Sequence, residues 1–278
     1  MPNRYSRQEL TKHFFEMLDM FHDNLDTDIS KDTLTLDFFT PDNGIQVYEK
    51  FCENRFPQFL EEDYKAPGYF ESIAAQAFLN KTEYGVLVRE DIDFTLDELL
   101  WMFLHEISHL YCSRNELDGK ELFFDKYCTG SGIEDGLMNA GYAIWREAIA
   151  DIMADSMVSE YAHLSLRSSS VRDRIQRFYE DLSPEDPISK KAMSLIIVYT
   201  MISKEVASTE SWETAEKALR RDIKINDELL FAILEQVFHQ LQNRPFWRIT
   251  PDFIMTLGET YESLLAGKLF YGVLTGRN

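Results

Sequence analysis

Leu99-Leu-Trp101-Met-Phe-Leu-His105-Glu106-Ile-Ser-His109-Leu-Tyr-Cys112 is the stretch around which the rest of the chain is organised. Just before it, Thr95-Leu-Asp-Glu98 has the form of a capping box, in which a Thr side chain and a Glu carboxylate satisfy orphan backbone donors at a helix start. The spacing therefore predicts a helix beginning near Thr95. On that helix His105 and His109 are four residues apart and project from one face, one turn above the other. Two imidazole nitrogens so placed converge on a single ion. Glu106 stands beside them, one position round, where a carboxylate serves as general base rather than as ligand. Zinc held by neutral imidazoles keeps an open position for water and lowers its pKa to about 7, so these three residue types in this order point to metal-assisted hydrolysis.

A catalytic zinc site takes a third protein ligand. The best downstream source is Tyr142-Ala-Ile-Trp-Arg-Glu147-Ala-Ile-Ala-Asp151-Ile-Met-Ala-Asp155, a second strong helix pattern. Glu147 and Asp151 are again four apart and face one way. Glu147 can complete a His-His-Glu set, and Asp151 can accept a hydrogen bond from the free ring N–H of a ligand histidine, fixing its tautomer. Two rivals stay open: Cys112, three residues after His109 on the same helix, and the pair Glu134 and Asp135, expected in a loop before the second helix.

His105-Glu106-x-x-His109 followed by Glu147-x-x-x-Asp151 resembles the gluzincin zinc metallopeptidases, the thermolysin-like clan. Glu147-Ala-Ile-Ala-Asp-Ile-Met-Ala is also similar to small gluzincin-like regulatory peptidases of the ImmA/IrrE type. The resemblance covers about residues 83–160 and implies a zincin-like domain with Zn2+ on His105, His109 and Glu147, Glu106 catalytic and Asp151 in support. The thirty-seven residues between His109 and Glu147 exceed the usual gluzincin linker. In gluzincin-like folds the strand nearest the metal helix is an edge strand that pairs with an extended peptide substrate, and Tyr84 to Arg89 is expected to fill that role.

Composition bounds the alternatives. The chain of 278 residues has 28 basic and 48 acidic side chains, a net charge of −20 that repels phosphate backbones and anionic membrane surfaces. No nucleic-acid or membrane partner is expected; a peptide or protein substrate is. The stretch behind Met1 reads as an amphipathic helix rather than a signal peptide, and the longest apolar run, residues 192–202, is too short to span a bilayer. Three cysteines, Cys52, Cys112 and Cys128, suit a reducing compartment, so a cytoplasmic protein is expected.

Along the chain, Leu10, Phe14, Phe15, Leu18 and Phe21 recur at helical spacing over residues 6–24, with His13 and His22 on the surface of that helix. A strand is expected over residues 33–40, a turn at Pro41-Asp-Asn-Gly44, and a helix over residues 45–60 whose Phe51, Phe56 and Phe59 face the core. Residues 69–90 suggest a hairpin turning at Asn80-Lys-Thr-Glu83. Residues 113–141, with Leu122-Phe-Phe124 and a Gly-rich run over 129–136, form an insertion beside the two site helices that serves as lid or connector. Further helices are expected over residues 189–206, 212–221, 227–242 and 252–270, after a linker at Ser183-Pro-Glu-Asp-Pro187.

The fold class expected is α+β: a mostly helical zincin-like domain over residues 1–183 with a small antiparallel sheet, and a helical part over 184–278. Peptide hydrolysis passes through an oxyanion, for which Tyr142, Tyr161, His163 and His239 are the available stabilisers. The function expected is that of a zinc-dependent metallopeptidase, an endopeptidase. A different class uses the same residues: a helical interaction module in which zinc only clamps the two site helices. A third assigns the two histidines and one carboxylate to iron.

Overall fold

Tyr84-Gly-Val-Leu-Val-Arg89 is apolar at nearly every position rather than alternating, the pattern of a strand covered on both faces. In the computed structural model it is the middle strand of a three-stranded sheet. The structure describes residues 2–61, 64–119, 132–160, 211–223, 228–243, 245 and 247–275, in some helices as backbone alone.

The described residues belong to two compact units. The first takes in Met1–Arg114 and the part of a later helix that starts at Met153; the second takes in Asn115–Ile152 and the C-terminal helices. The boundary expected at residue 183, with its linker, lies outside the described residues. So do the helix expected over 189–206, the segment Leu122 to Phe124 and most of the Gly-rich run.

In the first unit α1 (Arg7–Asn24) leads to β1 (Leu34–Phe39), α2 (Gly44–Cys52), a 3-10 turn (Pro57–Glu61), the short α3 (Tyr69–Ser72), the strands β2 (Ala75–Leu79) and β3 (Tyr84–Arg89), and α4 (Leu96–Arg114). The sheet order is β1-β3-β2, with β3 parallel to β1 and antiparallel to β2. Two expectations are corrected here. The sheet is mixed rather than antiparallel, and Tyr84 to Arg89 is its centre rather than its edge, hydrogen-bonded on both sides and closed to a peptide.

Strand alternation sorts the core. Gly85 and Leu87 of β3, with Phe39 and Phe78 beside them, face a buried aromatic cluster that includes Tyr48, Phe51, Phe56 and Phe70. Gly85 has no side chain because none fits: a Cβ there would stand 2.7 Å from the rings of both Phe51 and Phe56. Val86 and Val88 point the other way and are also fully buried. α4 packs along β2 and α1 along α4, where Phe14 meets Phe103 edge-on at 5.2 Å.

Local chemistry explains the remaining differences. The helix expected over residues 45–60 ends at Cys52, because Pro57 biases Phe56 away from helical backbone and cannot donate a hydrogen bond. Residues 69–72 form one helical turn rather than a strand, entered through Gly68 at φ 82°, so the hairpin is confined to β2 and β3. Its turn is held by Asn80, whose Oδ1 accepts from the backbone N–H groups of Thr82 and Glu83 at 2.8 Å each.

In the second unit α5 (Ile133–Glu160) is followed by α6 (Trp212–Ile223), α7 (Glu228–Gln242) and α8 (Pro251–Thr275). α5 is one unbroken helix of 28 residues that belongs to this unit as far as Ile152 and to the first unit from Met153 on. α7 packs on α8, and α8 meets α5 through Trp145 and Phe253, whose rings are edge-on at 5.4 Å. Among the described residues no helix is long and apolar enough to cross a membrane.

Candidate metal centre

The helix that carries the histidines starts as its cap dictates. Thr95 donates its backbone N–H to the Glu98 carboxylate at 2.9 Å, and the Glu98 N–H is returned to Thr95 Oγ1 at 3.3 Å. Leu99, Phe103, Leu104, Ile107 and Leu110 are fully buried and fix one side of α4 in the core. The hydroxyl of Ser108 is spent within the helix, donating to the Leu104 carbonyl at 2.7 Å.

The two histidines turn away from that side, and Glu106, one position round from His105, falls between them and the apolar residues. His105 is half-buried, while Glu106 and His109 are 7% and 5% exposed. The rings of His105 and His109 meet edge-on with centroids 4.5 Å apart, and their Nε2 atoms approach to 2.9 Å. The indole of Trp101, one turn before, stacks on His105 at 5.1 Å with the planes 29° apart.

Glu147 is half-buried on α5. Its carboxylate joins the two imidazoles: the ligand atoms of His105, His109 and Glu147 all lie within 4.8 Å of one another. Among the described residues this is the single group of three or more histidine, cysteine, aspartate or glutamate side chains so close together. The rival ligands are not in it. Cys112 is buried within α4, and Glu134 and Asp135 occupy the first turn of α5 rather than a loop.

The donor set fits zinc. Two imidazole nitrogens and a carboxylate oxygen are the ligands of an open hydrolytic site, and two bonds of about 2.0–2.1 Å at a tetrahedral angle put the nitrogens about 3.3 Å apart. The observed 2.9 Å needs only a small opening of the rings. Glu106 is adjacent in sequence to His105 yet outside the group of three.

The remaining expected site residues are placed as follows. Asp151 lies one turn beyond Glu147 on α5, and its side chain is outside the described residues, as are Tyr161 and His163. Tyr142 is about 140° round α5 from Glu147 and donates its hydroxyl to the fully buried Asp118 at 3.3 Å. Burial, and secondarily the Asp118 charge, pushes its phenol well above the ordinary tyrosine value. His239 is exposed on α7, 3.7 Å from Glu235. Trp101 is the neighbour of the site that sequence reasoning missed, although its position four residues before His105 is the signal that finds it.

Comparison with known proteins returns no match among family models, curated proteins or solved structures.

Proposed function

We propose that this chain is a zinc-dependent metallopeptidase with a zincin-like domain, acting on a peptide or protein substrate. The observation that carries this reading is the grouping of His105, His109 and Glu147 within 4.8 Å, with Glu106, next in the chain to His105, not a member of the group. The motif that pointed to these residues was a resemblance to gluzincins, and the side-chain geometry supports it independently of that likeness.

His105, His109 and Glu147 are the residues that would hold the ion. A bound zinc supplies a Lewis acid, which lowers the pKa of water toward about 7 and polarises a carbonyl. Glu106 accepts at its carboxylate the proton of the water that attacks the peptide carbonyl. As the C–N bond breaks, the same carboxyl group returns that proton to the leaving nitrogen. Burial of Glu106 among apolar helix residues keeps bulk water from competing for the transfer.

With β3 closed on both sides, backbone pairing with an extended substrate falls to β2, the edge strand that packs beside α4. Arg89 N–H donates to Ala74 O and Asn80 N–H to Glu83 O, so alternation turns the backbone groups of Ala75 and Ala77 away from β3. Among the described residues no strand pairs with that side.

Glu106→Gln tests the assignment. The expected result is a folded protein that binds zinc as tightly as the wild type but has lost at least about a hundredfold in cleavage of a mixed peptide library read by mass spectrometry. Proteolysis surviving at near wild-type rate refutes the role of Glu106. A wild type that binds zinc stoichiometrically and cleaves nothing refutes the enzyme.

A further inference from the structure

Trp101, His105 and His109 follow one another at intervals of four along α4, so they form one stripe. The indole lies nearly parallel to the imidazole of His105, 5.1 Å away, and His105 in turn meets His109 edge-on. We infer that Trp101 is a positioning residue for the metal centre: its ring face holds the His105 imidazole in the orientation that brings Nε2 to Nε2 of His109. The inference rests on the metal-site reading above.

The physical reason lies in the histidine side chain. Rotation of an imidazole about χ2 occupies broad wells, so a ring with no neighbour loses freedom when it ligates. A ring already held against an aromatic face loses less, and the difference appears as affinity. Offset aromatic pairs of this kind contribute enough to change a binding constant by about three- to tenfold. A His-Glu-x-x-His motif by itself places no demand on the residue four positions before its first histidine. Here that residue is the one whose ring covers a ligand. Trp101 is half-buried, so its replacement opens no deep cavity.

The test uses the full chain and two readouts other than proteolysis. Zn2+ affinity is measured by competition with a chromophoric chelator for the wild type, Trp101→Phe, Trp101→Leu and Trp101→Met, and indole emission is followed as zinc is added. The expected result is a three- to tenfold weaker affinity for the Leu and Met variants and a Phe variant within about twofold of wild type. Zinc should change the emission of the wild type and change that of Trp101→Phe much less. The inference is overturned if Leu and Met bind as tightly as wild type, if Phe weakens binding as much as they do, or if the zinc-induced change in emission is the same without Trp101. Should a non-aromatic variant fail to fold, the Phe affinity and the emission comparison decide. A wild type that binds no zinc removes the metal-site reading itself, an outcome distinct from equal binding by wild type and Leu.

Discussion

Gly141→Ala replaces a glycine inside α5 with the best helix former, a change that favours an isolated helix by about 1 kcal/mol. The structure argues for the opposite sign. A Cβ at Gly141 would lie 1.9 Å from the carbonyl oxygen of Ile254 on α8, and one at Gly258 would lie 1.9 Å from the carbonyl oxygen of Leu137 on α5. Close carbon–oxygen contacts between backbones settle at about 3.3 Å or more, so the two helices would have to part by more than 1 Å. The obstacle is backbone and cannot rotate aside. Overpacking of this kind costs about 1–3 kcal/mol, and here the upper end applies because parting the helices also loosens Trp145 from Phe253. Set against the helix-propensity gain, the net expectation is a loss of about 1–2 kcal/mol.

Urea unfolding of the full chain followed by circular dichroism measures it as a lowered midpoint at unchanged slope. Gly258→Ala should behave alike, and the double variant should cost about 1 kcal/mol less than the sum, because the first alanine has already made the room that the second needs. A midpoint that rises for Gly141→Ala, or strict additivity in the double variant, refutes the close crossing.

Three other outcomes follow from named contacts. Thr95→Ala removes the acceptor of the Glu98 N–H and the hydroxyl bonded to the Glu98 carboxylate at 2.8 Å, and should lower stability by about 1 kcal/mol in the same unfolding assay; an unchanged midpoint would mean that the cap is idle. Asp28 accepts from the Tyr84 hydroxyl at 2.7 Å and from Arg114 at 2.8 Å, and the tyrosine bond first, then the arginine, holds its carboxyl below the ordinary 3.8. Because the folded pKa is depressed, the unfolded chain binds more protons between the folded value and about 4, so this contribution is complete above about pH 5 and is lost as pH falls through the folded pKa. Asp28 is half-exposed, which limits the effect to about 0.5–1 kcal/mol, and Asp28→Asn should be less stable than wild type at pH 7, the gap narrowing as pH falls below about 4; a difference independent of pH contradicts the assignment. Loss of cleavage with retention of zinc in Glu106→Gln is the third, and separates base from ligand.

Much of the first unit was legible because its signals are local. The Thr95 cap, the Asn80 turn and the periodicity of Leu10, Phe14, Leu18 and Phe21 each act within a few residues, and α1, α4 and the β2–β3 turn form where those signals stand. The position of β3 in the sheet was not legible. A strand of Tyr, Gly, Val and Leu carries no mark of its neighbour's direction, and β1, separated from it in the chain by two helices, a 3-10 turn and β2, pairs with it through contacts distant in sequence, the aromatic cluster among them. The closeness of α5 and α8 was hidden for a similar reason: Gly141 and Gly258 are ordinary helix glycines until each is set against the other's backbone.

By itself the sequence determined that two imidazoles would share one side of a capped helix, since four-residue spacing and a 3.6-residue turn require it. It ranked Glu147 ahead of Cys112, Glu134 and Asp135 as a possible companion, and Glu147 is the one whose ligand atom lies within 4.8 Å of the two imidazoles. Which side chain comes near depends on how helices distant in the chain pack, and that is governed by buried area and steric fit rather than by any local preference of the residue concerned.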